Sequence, residues 1–302
     1  MEKGGWFMAQ MRAQMTKIPP IFHLEPFAGM DVNGSATLIS DHRSPDMLNM
    51  NIDESGSLNK RTGYARVYQD SLGSGKINGM YLYQKSDGTA IFLIAHGTKL
   101  YTQSGNAQPV EIYSGLRNQT IHFFKNNNKC YIMDGLNFLV YDGNKVDQVT
   151  PYVPQIQMSK PPSGGGTAYE DFNLLGNKFK DSFSGDGTST VFQMSLTGLD
   201  STPVSAVVDN NTINEGSGLT VDRVNGKVTF TSAPSKGTNN VIITSGKSVS
   251  GYPERIKNCS FSVGFGGSND TRIFLSGNPN MSESVFRSGL LDPSYWPENG
   301  NY

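Results

Sequence analysis

Long apolar runs are missing from this sequence. The longest, AIFLIA from Ala90 to Ala95, is too short for a transmembrane helix or for the hydrophobic region of a signal peptide. The opening residues, MEKGGWFMAQMRAQMTK, carry basic side chains with no apolar stretch behind them. The expectation is a protein made and used in the cytoplasm, or one that leaves it within a particle. Charge is scarce as well. Asp, Glu, Lys and Arg make up 17% of the residues and nearly cancel, to a formal net charge of −1. That excludes the global basic field that draws proteins to nucleic acid or anionic membrane. Thiols are few: Cys130 and Cys259 are the only two, each in an apolar, strand-like context. They predict buried reduced side chains and no disulfide framework.

Catalytic and metal-binding signatures are equally thin. GSGK at Gly73 to Lys76 hints at a phosphate loop, but Asp70 stands where the first Gly is needed and Ile77 where Ser or Thr would hold magnesium. The histidines His23, His42, His96 and His122 are scattered without ligand spacing. No nucleophile elbow surrounds any serine. The acidic turns DNNTINEG and GSNDT are first of all good turn sequences. The reading is therefore of a chain without a catalytic, cofactor or metal site.

What is present is turn chemistry and short β patterning. Gly occurs 34 times and aromatics make up 10%, a composition that suits a turn-rich β protein. Residues 1–44, broken by Pro19, Pro20 and Pro26, read as an extended arm. Residues 45–162 read as a β-hairpin followed by the first copies of a repeat. The hairpin turns at Asp53, Ser55 and Gly56, between DMLNMNI and SLNKRTGYARVY.

The repeat joins AIFLIAHGTKLYTQSGNAQPV (90–110) to KCYIMDGLNFLVYDGNKVDQV (129–149). Each copy is an apolar strand, a Gly turn (Gly97, Gly135) and a second strand with an aromatic (Tyr101, Tyr141), each preceded by one more strand. Three or four strands in about 40 residues is the spacing of a propeller blade. A third copy places RIFLSG (272–277) on CYIMDG (130–135). In this reading Asp134, Gly135, Asp142 and Gly143 shape blade turns. Between the second and third copies, residues 163–250 form a self-contained module bounded by SKPPSGGGT and SGKSVSGYP. Its alternating segments STVFQMSL, VSAVVD, LTVDR, GKVTFT and NNVIIT predict a small inserted β-sandwich or barrel. Residues 251–302 then return to the propeller-like domain.

Three segments carry a resemblance. SPDMLNMNIDESGSLNKRTGYARVY resembles the opening of bacteriophage tail-tube and tail-nozzle proteins, and SNDTRIFLSGNPNMSESVFRSGLLDPSYWPENGNY is similar to their propeller segment. The module resembles small β domains of phage virion and tail-fibre proteins. The resemblance implies a non-enzymatic virion protein of the nozzle or head–tail connector, assembled in the host cytoplasm as a homo-oligomeric ring. Portal, adaptor or other tail proteins would be its partners, and double-stranded DNA would pass through its lumen without sequence-specific binding. It also implies that Pro279, Pro293, Tyr295 and Trp296 lock the last segment against its neighbour. About three copies, where a closed propeller needs at least four, imply open edges covered by other subunits. The rival readings are a receptor- or carbohydrate-binding tail protein, with Tyr169 and Phe172 stacking on sugar, and a propeller glycan hydrolase.

Overall fold

A computed structural model describes residues 20–21, 26–65, 68, 70–105, 107–267 and 271–301. Strand makes up 41% and helix 2%, so the mainly β class holds. In chain order the strands are β1 (Met50–Ile52), β2 (Leu58–Lys60), β3 (Ile77–Gln84), β4 (Ala90–His96), β5 (Lys99–Gln103), β6 (Val110–Ser114), β7 (His122–Asn126), β8 (Lys129–Met133), β9 (Phe138–Tyr141), β10 (Val146–Gln148) and β11 (Gln155–Lys160). They continue with β12 (Thr167–Ala168), β13 (Lys178–Phe183), β14 (Val191–Gln193), β15 (Ser205–Val208), β16 (Asn211–Glu215), β17 (Gly218–Asp222), β18 (Lys227–Phe230) and β19 (Val241–Gly246). One helix, α1 (Tyr252–Lys257), precedes β20 (Phe261–Phe265), β21 (Arg272–Ser276) and β22 (Phe286–Arg287).

The chain forms two compact units, residues 1–69 and 70–302. In the first, β1 and β2 pair antiparallel. The carboxylate of Asp53 organises their turn by accepting the backbone N–H groups of Ser55 (3.0 Å) and Ser57 (2.9 Å). Much of the expected arm lies outside the described residues. Its described part is tied down: Phe27 donates its N–H to the Gly56 carbonyl, and Met30 bridges Ser44. Extended backbone needs partners, and this segment finds them in the hairpin turn and the 42–44 loop. The division therefore falls after residue 69 rather than after residue 44, and the hairpin groups with the arm instead of with the repeats.

In the second unit, β3–β6 and β7–β10 are two four-stranded antiparallel meanders, and β20–β22 make a three-stranded sheet. The sheets stack face to face. Ile91, Leu93, Ala95 and Leu100 of the first meet Cys130, Ile132, Leu139 and Tyr141 of the second in one core. Phe124, Tyr131, Met133 and Phe138, on the second meander's other face, share a further core with Ile273, Leu275 and Phe286. The first strands β3, β7 and β20 are neighbours, as innermost strands of successive propeller blades are. Gly79 permits the approach of β3 to β7: a Cβ there would lie 2.9 Å from the Phe123 ring and 3.0 Å from the Ile121 carbonyl oxygen.

The repeat is real, but its period at the central hairpin differs from the expected one. Ala95 pairs with Leu100, and Met133 with Phe138. Gly97 and Gly135, 38 residues apart, then occupy the same turn position. Tyr101 consequently matches Leu139, and its proposed equivalence with Tyr141 fails. Both tyrosines are buried, yet Tyr141 lies in the core between the meanders and Tyr101 does not. The third copy is also displaced. Ile273 and Leu275 face the preceding blade, the role that Cys130 and Ile132 play in the second, so RIFLSG is one residue out of step with CYIMDG. A shift of one residue turns every side chain to the opposite face.

The inserted β domain takes the barrel side of its alternative. It is a single nine-stranded sheet, in the order β12-β11-β13-β19-β15-β16-β17-β18-β14, curled into a half-barrel around Phe179, Phe183, Phe192, Phe230, Val241 and Ile243. It is not one insertion from 163 to 250. The sheet begins at Gln155, and the chain leaves the blades twice. The first excursion closes where Glu170 N–H meets the Gln155 carbonyl at 3.0 Å, and the second where Lys247 N–H meets the Asn177 carbonyl at 2.7 Å. Between them, Leu174 and Leu175 return to the core that joins the second blade to the third sheet.

Asp200 pins the neck of the second excursion, accepting hydrogen bonds from Asn177 Nδ2 (2.8 Å), Ser248 Oγ (2.7 Å) and Thr202 N–H (2.8 Å). Burial alone would raise its pKa, but the hydrogen bonds from Thr202, Ser248 and Asn177 outweigh it and hold the pKa at about 2. A folded value below the unfolded one, about 3.9, means that this contribution is complete above about pH 4 and is lost as pH falls through about 2. Asp200→Asn is expected to lower the melting temperature at pH 6, with the gap to the native chain closing as the pH approaches 2. A gap independent of pH would contradict this.

Candidate functional site

The residues expected to shape blade turns do sit in turns. Asp134 is fully buried between β8 and β9, and its carboxylate accepts the N–H of Arg117 (2.8 Å), Leu136 (2.9 Å) and Asn137 (2.5 Å) and the Asn137 side-chain amide (2.8 Å). Gly135 follows with a φ of 81°. Asp142 closes the β9–β10 turn by accepting the N–H groups of Asn144 (2.8 Å) and Lys145 (2.9 Å), with Gly143 buried next to it at a φ of 98°.

The terminal group is internal. Trp296 is fully buried, its indole N–H donates to the Pro293 carbonyl at 2.7 Å, and its backbone N–H reaches Asn173 Oδ1 at 2.9 Å. Tyr295 donates its hydroxyl to the Asp171 carbonyl at 2.9 Å. Tyr295 and Trp296 therefore tie the last segment to residues 171–174 of the same chain, and Pro293 supports the indole from within that segment. Pro279 alone of that set is exposed, at the rim of a cleft. The sugar-stacking pair also separates, because Phe172 is buried in the half-barrel core while Tyr169 is exposed.

One polar cluster escapes sequence reasoning. Lys160 and Asp181, both fully buried, approach to 3.6 Å. Ser195 bridges them: its Oγ accepts from Lys160 Nζ at 2.7 Å and donates to Asp181 Oδ1 at 2.7 Å, and its N–H reaches Asp181 Oδ2 at 2.7 Å. Burial pushes the lysine pKa down and the aspartate pKa up, while their mutual attraction opposes both shifts. The serine proton points at the carboxylate and its lone pair at the ammonium. This is a hydroxyl consumed as a bridge, and it clamps the irregular parallel pairing of β11 with β13. Among the described residues no group of three or more His, Cys, Asp or Glu side chains is placed to hold a metal ion. His23 lies outside them. No described helix is long and apolar enough to cross a membrane.

The feature that calls for an explanation is the pair of outer faces. On β20, Phe261 (68% exposed), Val263 (60%) and Phe265 (73%) project from the side opposite Ile273 and Leu275. Val263 lies across from Phe274, and Phe265 is 6.5 Å from the Phe274 ring. At the other end of the stack, Met80 (58%) and Leu82 (63%) lie across from Ile94 and Phe92, on the side of β3 turned away from the second blade. Sequence reasoning anticipated open edges; the exposed apolar side chains of β3 and β20 lie on faces. Comparison with protein-family profiles, curated proteins and solved structures finds no match.

Proposed function

We propose that this chain is a structural subunit of an oligomeric ring, of the phage tail-nozzle or head–tail connector kind, in which neighbouring copies continue the blade stack. The observation that carries this reading is the pair of apolar outer faces on the third sheet and the first blade. Inside the unit, the same kinds of residue on facing blades make the two interblade cores. A head-to-tail contact would set the Phe261, Val263 and Phe265 face of one copy against the Met80 and Leu82 face of the next, the repeating contact from which rings close. Isolated exposed hydrophobics need no explanation, whereas a contiguous apolar face does. A formal net charge of −1 suits a lumen through which DNA slides without being gripped. Portal, adaptor or other tail proteins would cap the ring within the virion. The carbohydrate-binding alternative has lost half of its stacking pair to the half-barrel core.

Mass photometry and negative-stain microscopy test this. The native chain is expected to form closed rings as its concentration rises. Phe261→Ser combined with Phe265→Ser is expected to give monomers whose melting temperature matches that of the native monomer. A native chain that stays monomeric at high concentration, or a double variant that assembles equally well, would overturn the proposal.

A further inference from the structure

We propose that the cleft between the β8–β9 turn and the segment following α1 binds a small organic oxyanion, a phosphate monoester or a carboxylate, between Arg117 and Lys257. The cleft has a volume of about 530 Å³, within the range of small-ligand sites. Arg117 and Lys257 both line it, no carboxylate does, and among the described residues neither cation has an acidic partner within ion-pair distance. Asp134, which accepts the Arg117 backbone N–H, has its oxygens taken up by four N–H donors.

Three polar groups converge on the bare backbone of Gly135. A Cβ at that position would lie 2.6 Å from Gln119 Nε2, 3.3 Å from Asn258 Oδ1 and 3.6 Å from Arg117 Nη1. Gln119 Nε2 is held there by the Asp134 carbonyl, and the missing side chain is what lets the three groups draw close to the turn at the wall of the cleft. His122 supplies an independent observation. It lines the same cleft, and its Nε2 is buried without a hydrogen-bond partner, a costly state that a ligand hydroxyl or oxyanion would relieve. Burial lowers the pKa of this imidazole, so the positive charge of the cleft comes from Arg117 and Lys257. Ile121, Met133 and Pro279 offer an apolar wall for the body of the ligand. Among the described residues no Phe, Tyr or Trp ring lines the cleft, which disfavours a neutral sugar, since sugars are held by stacking on such faces.

This site does not depend on ring formation, and its test is read on the purified chain in whatever oligomeric state it adopts. Isothermal titration with glucose 6-phosphate and with citrate, using glucose as the neutral control, is expected to give saturable binding for at least one anion and none for glucose. Which anion binds more tightly distinguishes phosphate from carboxylate. Arg117→Gln and Lys257→Gln are each expected to weaken binding about tenfold, as loss of a charge-assisted hydrogen bond does. Rising salt is expected to weaken it further. Gly135→Ala is expected to block the cleft, and the two cation variants keep the test decisive should that change also strain the turn. No saturable binding below about 10 mM, equal binding of glucose, or indifference to both cation variants would overturn the proposal. Binding of a duplex oligonucleotide with the same Arg117 dependence, in the absence of small-anion binding, would also overturn it and assign these cations to a nucleic-acid backbone.

Discussion

A chain in which a short Gly/Ser link replaces residues 165–248 is expected not to fold. That cut looks natural in the sequence, yet it removes Leu174 and Leu175, which are buried with Phe138, Ile256 and Trp296 between the second blade and the third sheet. It also removes Asn173, whose side-chain amide donates to the Tyr152 carbonyl at 2.8 Å and the Ser294 carbonyl at 2.9 Å. Each buried leucine is worth about 2–5 kcal/mol. Together with the lost amide clamp this approaches the entire stability of an ordinary domain, about 5–15 kcal/mol. Excising 156–169 and 178–246 separately, with Phe172→Ser to remove the core ring left uncovered, is expected to leave soluble, cooperatively unfolding blades. The reason is that both pairs of ends already touch, and short closures cost little. Near-ultraviolet circular dichroism and thermal unfolding of the two shortened chains provide the check. A folded 165–248 deletion would show that residues 171–177 are dispensable.

Asp181→Ala is expected to destabilise the chain by about 3–5 kcal/mol, because it strands the buried ammonium of Lys160 without its counter-charge. Lys160→Met combined with Asp181→Leu is expected to recover most of that loss. An apolar pair restores contacts and abolishes the desolvation cost, although Ser195 then loses both of its side-chain partners. Urea midpoints of the three chains decide the matter. If the double variant is as unstable as the single one, Ser195 and its hydrogen bonds hold β11 to β13, and the ion pair does not.

Much of this architecture is legible in the sequence because it is local. The strands of the two meanders announce themselves by short apolar runs between turn residues, and the Asp53 hairpin by Asp, Ser and Gly in order. Within the half-barrel, strands β14, β15, β17, β18 and β19 follow from alternation alone. Strand β16 does not, since NTINE offers little apolar pattern and DNN reads as loop. In fact Asp209 and Asn210 adopt φ values of 46° and 67° and turn β15 directly into β16, a tight two-residue hairpin that Asn and Asp tolerate well. Strand β13, KFKDSF, is obscured because Asp181 occupies a core position that Ser195 and Lys160, from other strands and turns, make tolerable.

The sequence by itself determined the mainly β class, the repeat, the turn roles of Asp134, Gly135, Asp142 and Gly143, and the lack of a long apolar segment. All of these rest on residue type and spacing within a few neighbours. Tertiary structure alone decided the register of the repeat, because one residue of slip exchanges the two faces of a strand and apolar residues here occupy both. It also decided that the half-barrel is entered twice, that Trp296 closes its own chain, and that Arg117, His122, Lys257 and Gly135 share one cleft. Those outcomes depend on contacts between residues far apart in the chain, such as Asn173 with Trp296. Such contacts are fixed by which faces bury each other, and that is a property of the packed sheets.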